Sequence, residues 1–247
     1  VRSIWALLIF LLATSVYAQK YEIDASDVQI TPVENLFRMG HPGPEGKEIE
    51  VTTEYLTLGG KPVVMTMGEV HFSRMNPELW EETILKMKAC GIDIIATYLF
   101  WIHHEEIEGQ FEWDGRHNLR AFLELCRKHD VYAFPRIGPW SHGEARNGGT
   151  PDWILRKQFI GHRGIDPVYL SYVERYYKEI SRQLEGLYYK DGGPIIGIQL
   201  ENECVWGACE EYLMWLKRLA QNLGMDVPLY TATGWSGTPL PAYEILG

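Results

Sequence analysis

From residue 63 onward, short apolar runs alternate with longer stretches that mix apolar and charged residues. The runs at 63–70, 92–100, 131–137, 194–200 and 228–232 are rich in β-branched and aromatic residues and predict five strands. The stretches 77–90, 115–128, 167–188 and 210–223 predict helices. Asn76 and Asp166 stand as N-caps ahead of Pro77 and Pro167, and proline is well suited to a first helical turn. Gly91 reads as a helix stop, and a long loop runs from the third strand through Arg163. Before this rhythm begins, KEIEVTTEYLTLGGKP predicts a hairpin turning at Gly59 and Gly60.

Alternating strands and helices imply an α/β protein with a parallel sheet, either doubly wound or an eight-fold (β/α) barrel. A doubly wound sheet usually follows its first strand with a Gly-rich phosphate loop. Here the first strand leads instead into EVHFSR at 69–74. Polar and titratable residues cluster at the strand ends: Glu69 and His71; Tyr98, His103, His104 and Glu105; Arg136, His142 and Glu144; Glu201, Asn202 and Glu203. Barrel enzymes assemble their sites in this way, which favours the TIM barrel. Five strands would leave such a barrel with open edges, so it is expected to be truncated after the fifth strand. The expected organisation is a signal peptide at 1–18, a lead-in with the β-hairpin at 19–60, and a partial catalytic barrel at 61–247.

The leader VRSIWALLIFLLATSVYA pairs one basic residue with an apolar stretch and a Val-Tyr-Ala cleavage pattern. Export to a periplasmic or extracellular location is therefore expected, with no membrane span after signal cleavage. A net charge of −10 argues against nucleic-acid binding. Cys90 and Cys126 fall late in predicted helices and are expected to be buried thiols. Cys204 and Cys209 could bridge, but their spacing fits no zinc pattern and does not decide the question.

The histidines near the strand ends lack a metal-ligand spacing. His103 and His104 are adjacent, and on a strand they would face opposite ways, so no metal and no cofactor is expected. There is no nucleophile elbow and no phosphate loop. What remains is carboxylates at several strand ends, the equipment of glycoside hydrolysis. Trp101, Trp140, Trp153 and Tyr98 are candidates for a sugar platform, and Arg136 for steadying a carboxylate. Glu106 and Glu108 read as solvated loop residues. In GPIIGIQLENE at 193–203, a buried run emerges into two carboxylates and an amide. Strand alternation alone does not choose between Glu201 and Glu203.

Four ordered segments, GEVHFSR (68–74), ATYLFWIHHEEIEGQFEW (96–113), RIGPWSHGEARNGGTPDW (136–153) and GPIIGIQLENE, resemble the catalytic barrel of family 35 glycoside hydrolases, the β-galactosidase family. The resemblance covers about residues 50–235. It implies that Glu203 is the acid/base and that Asn202 meets the sugar 2-hydroxyl. It also implies that Tyr98, Gly143 and Glu144 bind galactose, and it places His142, where the family often has Cys, in the substrate site. Ile102, Glu106 and Cys204 depart from the family's usual Asn, Pro and Tyr.

The resemblance further implies a nucleophilic Glu on a seventh strand, expected beyond Gly247. The resulting expectation is an exported retaining exo-glycosidase acting on terminal β-galactosides of an oligosaccharide or polysaccharide, with these 247 residues inactive alone. The alternatives are a non-catalytic carbohydrate-binding protein, or a β-glucosaminidase or β-glucosidase of the same clan.

Overall fold

A computed structural model describes residues 21–24, 31, 48–158, 161–204 and 209–232. The predicted leader at 1–18 and most of the lead-in lie outside these residues. The chain divides into two units, residues 1–31 and 32–247. The described residues of the first form no helix or strand.

In the second unit, β1 (Ile49–Val51), β2 (Leu56–Leu58) and β3 (Lys61–Val63) form a small antiparallel sheet. Gly59 and Gly60, both at positive φ, make the turn between β2 and β3. The main sheet contains β4 (Met67–Glu69), β5 (Ile94–Tyr98), β6 (Tyr132–Arg136), β7 (Ile198–Gln199) and β8 (Leu229–Tyr230). All its pairings are parallel, and the order is β4-β5-β6-β7-β8. A doubly wound sheet reverses its strand order at a switch point, whereas a barrel adds strands in sequence. The described strands follow the barrel order.

Helices connect the strands. α1 (Trp80–Ala89) links β4 to β5, α3 (Leu119–Lys128) links β5 to β6, α5 (Pro167–Leu184) links β6 to β7, and α6 (Cys209–Asn222) precedes β8. Two shorter helices, α2 (Trp101–His104) and α4 (Asp152–Leu155), lie outside the predicted helices, and α4 falls within the predicted long loop. Asp166 accepts from the backbone N–H groups of Val168 and Tyr169, as an N-cap should. Asn118 caps α3 through Ala121, so this α-helix begins four residues later than predicted, after a 3-10 turn at Gly115–His117. α5 ends at Leu184 rather than residue 188, because Gly186 takes φ +73 and turns the chain.

The α3 stripe of Leu119, Phe122, Leu123 and Cys126 has the i, i+3, i+4, i+7 spacing of one helix face. It packs in one core with Ile95, Ala133 and Ile198 of the strands and with Leu99, Ile137, Ile195 and Leu200 beside them. A second, smaller cluster on Ile94 and Ile196 includes Leu58 of the small sheet. Cys126 is buried in the main core, but Cys90 is exposed: it is the C-cap of α1, where the chain turns through Gly91.

Candidate active site at the strand ends

Register sets the floor of the site. Tyr98 of β5 pairs with Arg136 of β6, which pairs with Gln199 of β7. Residues opposed in a sheet share a face, so these three side chains stand in a row. The Arg136 guanidinium lies 3.8 Å from the Tyr98 ring centre. Its Nε donates to Gln199 at 3.0 Å, one terminal nitrogen donates to Asn202 Oδ1 at 3.0 Å, and the other pairs with Glu69 of β4. The role expected for Arg136, steadying a carboxylate, is the one this geometry gives it. His71 lies 3.6 Å from Glu69 and packs on Tyr98. Burial holds the His71 pKa below the usual imidazole value.

Asn202 is the junction. Its Oδ1 accepts from Arg136, from Gln199 Nε2 at 3.0 Å and from the Tyr98 hydroxyl at 3.4 Å. Burial pushes the Tyr98 phenol up to about 12, so it remains a neutral donor. Three donors on Oδ1 fix the amide, and Nδ2 therefore turns toward His142 Nδ1 at 3.0 Å.

Glu201 and Glu203 occupy different environments. Glu201 is fully buried, with Arg163 Nε at 2.7 Å and the Tyr212 hydroxyl at 3.0 Å on its carboxylate. Burial raises its pKa, against the opposing pull of Arg163 and Tyr212. Glu203 is 37% exposed, with Oε2 3.0 Å from His142 Nδ1. Had the strand kept alternating, both carboxylates would have shared Gln199's face. Glu201 instead takes φ +56 and Glu203 φ +51, which breaks the alternation. The structure thus brings Tyr98, His142, Asn202 and Glu203 together, and turns Glu201 into a buried support.

The loop after β6 packs beside this row. Gly143, at φ +52, packs against Phe100 and Tyr98, and its carbonyl accepts from Arg74 at 2.6 Å. Glu144 is exposed, and its charge acts on His71. Positive φ recurs at His142, Glu144 and Asn147, concentrating non-glycine strain around the site.

Several expected participants belong elsewhere. Trp101 is fully buried and stacks on Tyr176 at 4.7 Å, so it is core rather than platform. Trp153 donates to the Glu105 carbonyl, while Trp140 stands edge-on to His142 at the site. Glu105 is buried and accepts from Trp101 and Gly109, whereas Glu106 and Glu108 are exposed. His103 and His104 lie on α2 rather than on a strand. His103 contacts Ser73, and His104 is buried against Trp113. Ile102 joins an apolar cluster with Tyr98 and Phe100, and Cys204 is disulfide-bonded to Cys209. Among the described residues, no three His, Cys, Asp or Glu side chains are placed to hold a metal ion.

Sequence reasoning did not find Arg74, Arg163, Gln199 or Tyr212. Gln199 left a trace, as a polar residue inside a buried run. Arg163 lies 38 residues from Glu201 in a loop, and nothing local marks it.

Polar side chains gathered at the carboxyl ends of parallel strands in sequential order define a protein of the (β/α)-barrel class. Residues 55–241 match the family model described as Glycosyl hydrolases family 35, and the chain belongs to that family. It is 35% identical to a β-galactosidase from Homo sapiens over 203 residues, covering 81% of this chain and 30% of that protein. It is 37% identical to one from Mus musculus over 192 residues (76% and 30% covered). It is 34% identical to β-galactosidase 7 of Oryza sativa subsp. japonica over 191 residues (74% and 25%). The chain therefore spans less than a third of the length of these relatives.

Two solved structures share the fold. One is an exo-β-1,4-mannosidase from Opitutaceae bacterium strain TAV5, with TM-score 0.53, 16% identity, and 68% of this chain and 31% of that one covered. The other is a GH5_18 protein from Streptomyces cattleya, with TM-score 0.56, 11% identity, and 68% and 44% covered.

Proposed function

We propose that this chain carries the acid/base half of a retaining β-galactosidase site, with Glu203 as the proton donor and acceptor. The observation that carries this reading is the placement of the two carboxylates in a family 35 member. Glu201 is buried on Arg163, whereas Glu203 reaches an open face beside Asn202 and Tyr98. In the first step Glu203 gives its proton to the glycosidic oxygen as a second carboxylate attacks the anomeric carbon. In the second, Glu203 takes a proton from the water that releases the sugar. Retention requires the carboxylates to be about 5 Å apart, and we place the nucleophile beyond residue 247.

Tyr98, Gly143, Glu144 and Asn202 bind the sugar in this reading. With Oδ1 engaged by three protein donors, Asn202 presents its remaining Nδ2 hydrogen to the 2-hydroxyl. We also place the protein outside the reducing cytosol, a setting that suits the Cys204–Cys209 bond.

In the intact protein, Glu203→Gln should lower turnover of an aryl β-galactoside by at least about 100-fold, in keeping with loss of general acid/base catalysis. Wild-type turnover in that variant refutes the assignment. A panel of aryl β-galactosides, β-glucosides and β-glucosaminides reads the sugar preference.

A further inference from the structure

Gln199 is a polar side chain inside a buried strand, 7% exposed, with both ends of its amide engaged. Its Oε1 accepts from Arg136 Nε at 3.0 Å. Its Nε2 donates to the Glu201 carbonyl at 2.8 Å and to Asn202 Oδ1 at 3.0 Å. A side-chain amide can be turned end for end, so its partners must decide which end is which. A guanidinium only donates, and the end of Gln199 facing Arg136 is therefore the oxygen. That leaves Nε2 toward Asn202, with both its hydrogens used.

The Asn202 amide inherits its direction from these two donors. At 3% exposure it has no access to bulk water that could substitute for them. Oδ1 accepts from Gln199 and from a terminal nitrogen of Arg136, each at 3.0 Å, with the Tyr98 hydroxyl at 3.4 Å. On the other side Nδ2 lies 3.0 Å from His142 Nδ1. The imidazole does not fix the direction, because a neutral ring can accept at Nδ1 or, as the other tautomer, donate there. The choice is made on the Arg136–Gln199 side.

We propose that Gln199 is a positioning residue, passing the one-way donor character of Arg136 on to Asn202 so that Nδ2 faces the sugar 2-hydroxyl. This rests on the reading of Asn202 as the partner of that hydroxyl. With Nδ2 outward, the 2-hydroxyl accepts from Asn202 and keeps its own hydrogen for a second acceptor. Hydrogen bonds to this hydroxyl strengthen in the transition state, so the direction of one buried amide bears on the rate.

Gln199→Glu is the informative variant. A carboxylate still accepts from Arg136 but has no hydrogen for Asn202. The amide then turns, giving Nδ2 to the new carboxylate and Oδ1 to His142, which can donate as its other tautomer. In the intact protein, kcat/KM is measured for an aryl β-galactoside and for its 2-deoxy analogue. The preference for the 2-hydroxy substrate should fall at least about tenfold, and more in kcat than in KM. A merely loosened fold lowers both substrates together, so a preference kept at the wild-type level overturns the proposal. Gln199→Met removes the donor without adding charge and should lower the same preference at least about threefold. An unchanged preference in that variant overturns the proposal even where Gln199→Glu does not fold.

Neutron diffraction reads the amide without turnover. Crystals of the intact protein should show deuterium on the side of Asn202 facing His142 in the wild type, and on the side facing residue 199 in Gln199→Glu. The same amide direction in both proteins overturns the proposal. If the amide turns as expected but the wild type hydrolyses neither substrate, or both equally well, the sugar reading alone has failed.

Discussion

At Gly143 the backbone runs at φ +52, and a β-carbon would lie 2.6 Å from Phe100 Cε1 and 3.0 Å from Tyr98 Cδ2. Gly143→Ala should therefore cost about 1–3 kcal/mol through strain and overpacking, read as a lower urea midpoint. Only the tertiary environment explains why this chain needs glycine here. Glu201 and Glu203 give a sharper contrast. Glu201→Ala leaves Arg163, only 14% exposed, without its carboxylate, and should cost about 3 kcal/mol or more by urea denaturation. Glu203→Gln, at a 37% exposed position, should change stability by no more than about 0.5 kcal/mol. Equal losses in the two variants would show that the division of labour between these carboxylates is wrong.

At the scale of elements, the segment from the end of β7 to the start of α6 is tied by the Cys204–Cys209 bond, five residues apart in sequence. So short a loop corresponds to about 2 kcal/mol in the chain-entropy account. Replacing both cysteines with Ser should lower stability by about that amount, measured by denaturation with and without reductant. The strands and connecting helices were legible in the sequence because each carries its own signal. Asp166 caps a helix whose first residue is Pro167, and Leu119, Phe122, Leu123 and Cys126 mark one face. The short α2 was not legible. Its four residues are too few for a periodic pattern, and Trp101 is held there by packing on Tyr176.

For the whole molecule, acid sensitivity follows from imidazoles that the fold keeps dry. Burial lowers His103 to about 4 and His104 to about 3, from an ordinary 6.5. With the folded-state values below the unfolded ones, the unfolded chain binds protons first as pH falls. The contribution of these neutral histidines is fully present above pH 6.5 and is lost progressively toward pH 4 and 3. Fully buried His104 accounts for about 1.4 kcal/mol per pH unit within that window. His104→Leu should therefore flatten the fall in stability between pH 6.5 and 4.5, measured by urea denaturation at several pH values. A slope identical to wild type would mean that His104 is not kept neutral by the fold.

The sequence by itself determined the alternation of strands and helices, the barrel class and the acidic end of the fourth parallel strand. Each of these is written in local periodicity, caps and motif order. Which carboxylate faces the open site was decided by tertiary structure. Positive φ at Glu201 and Glu203 breaks the two-residue alternation, and Arg163 and Tyr212, distant in sequence, receive Glu201 behind the sheet. The junction at Asn202 is tertiary for the same reason: its donors come from three strands, and only parallel register brings them to one amide.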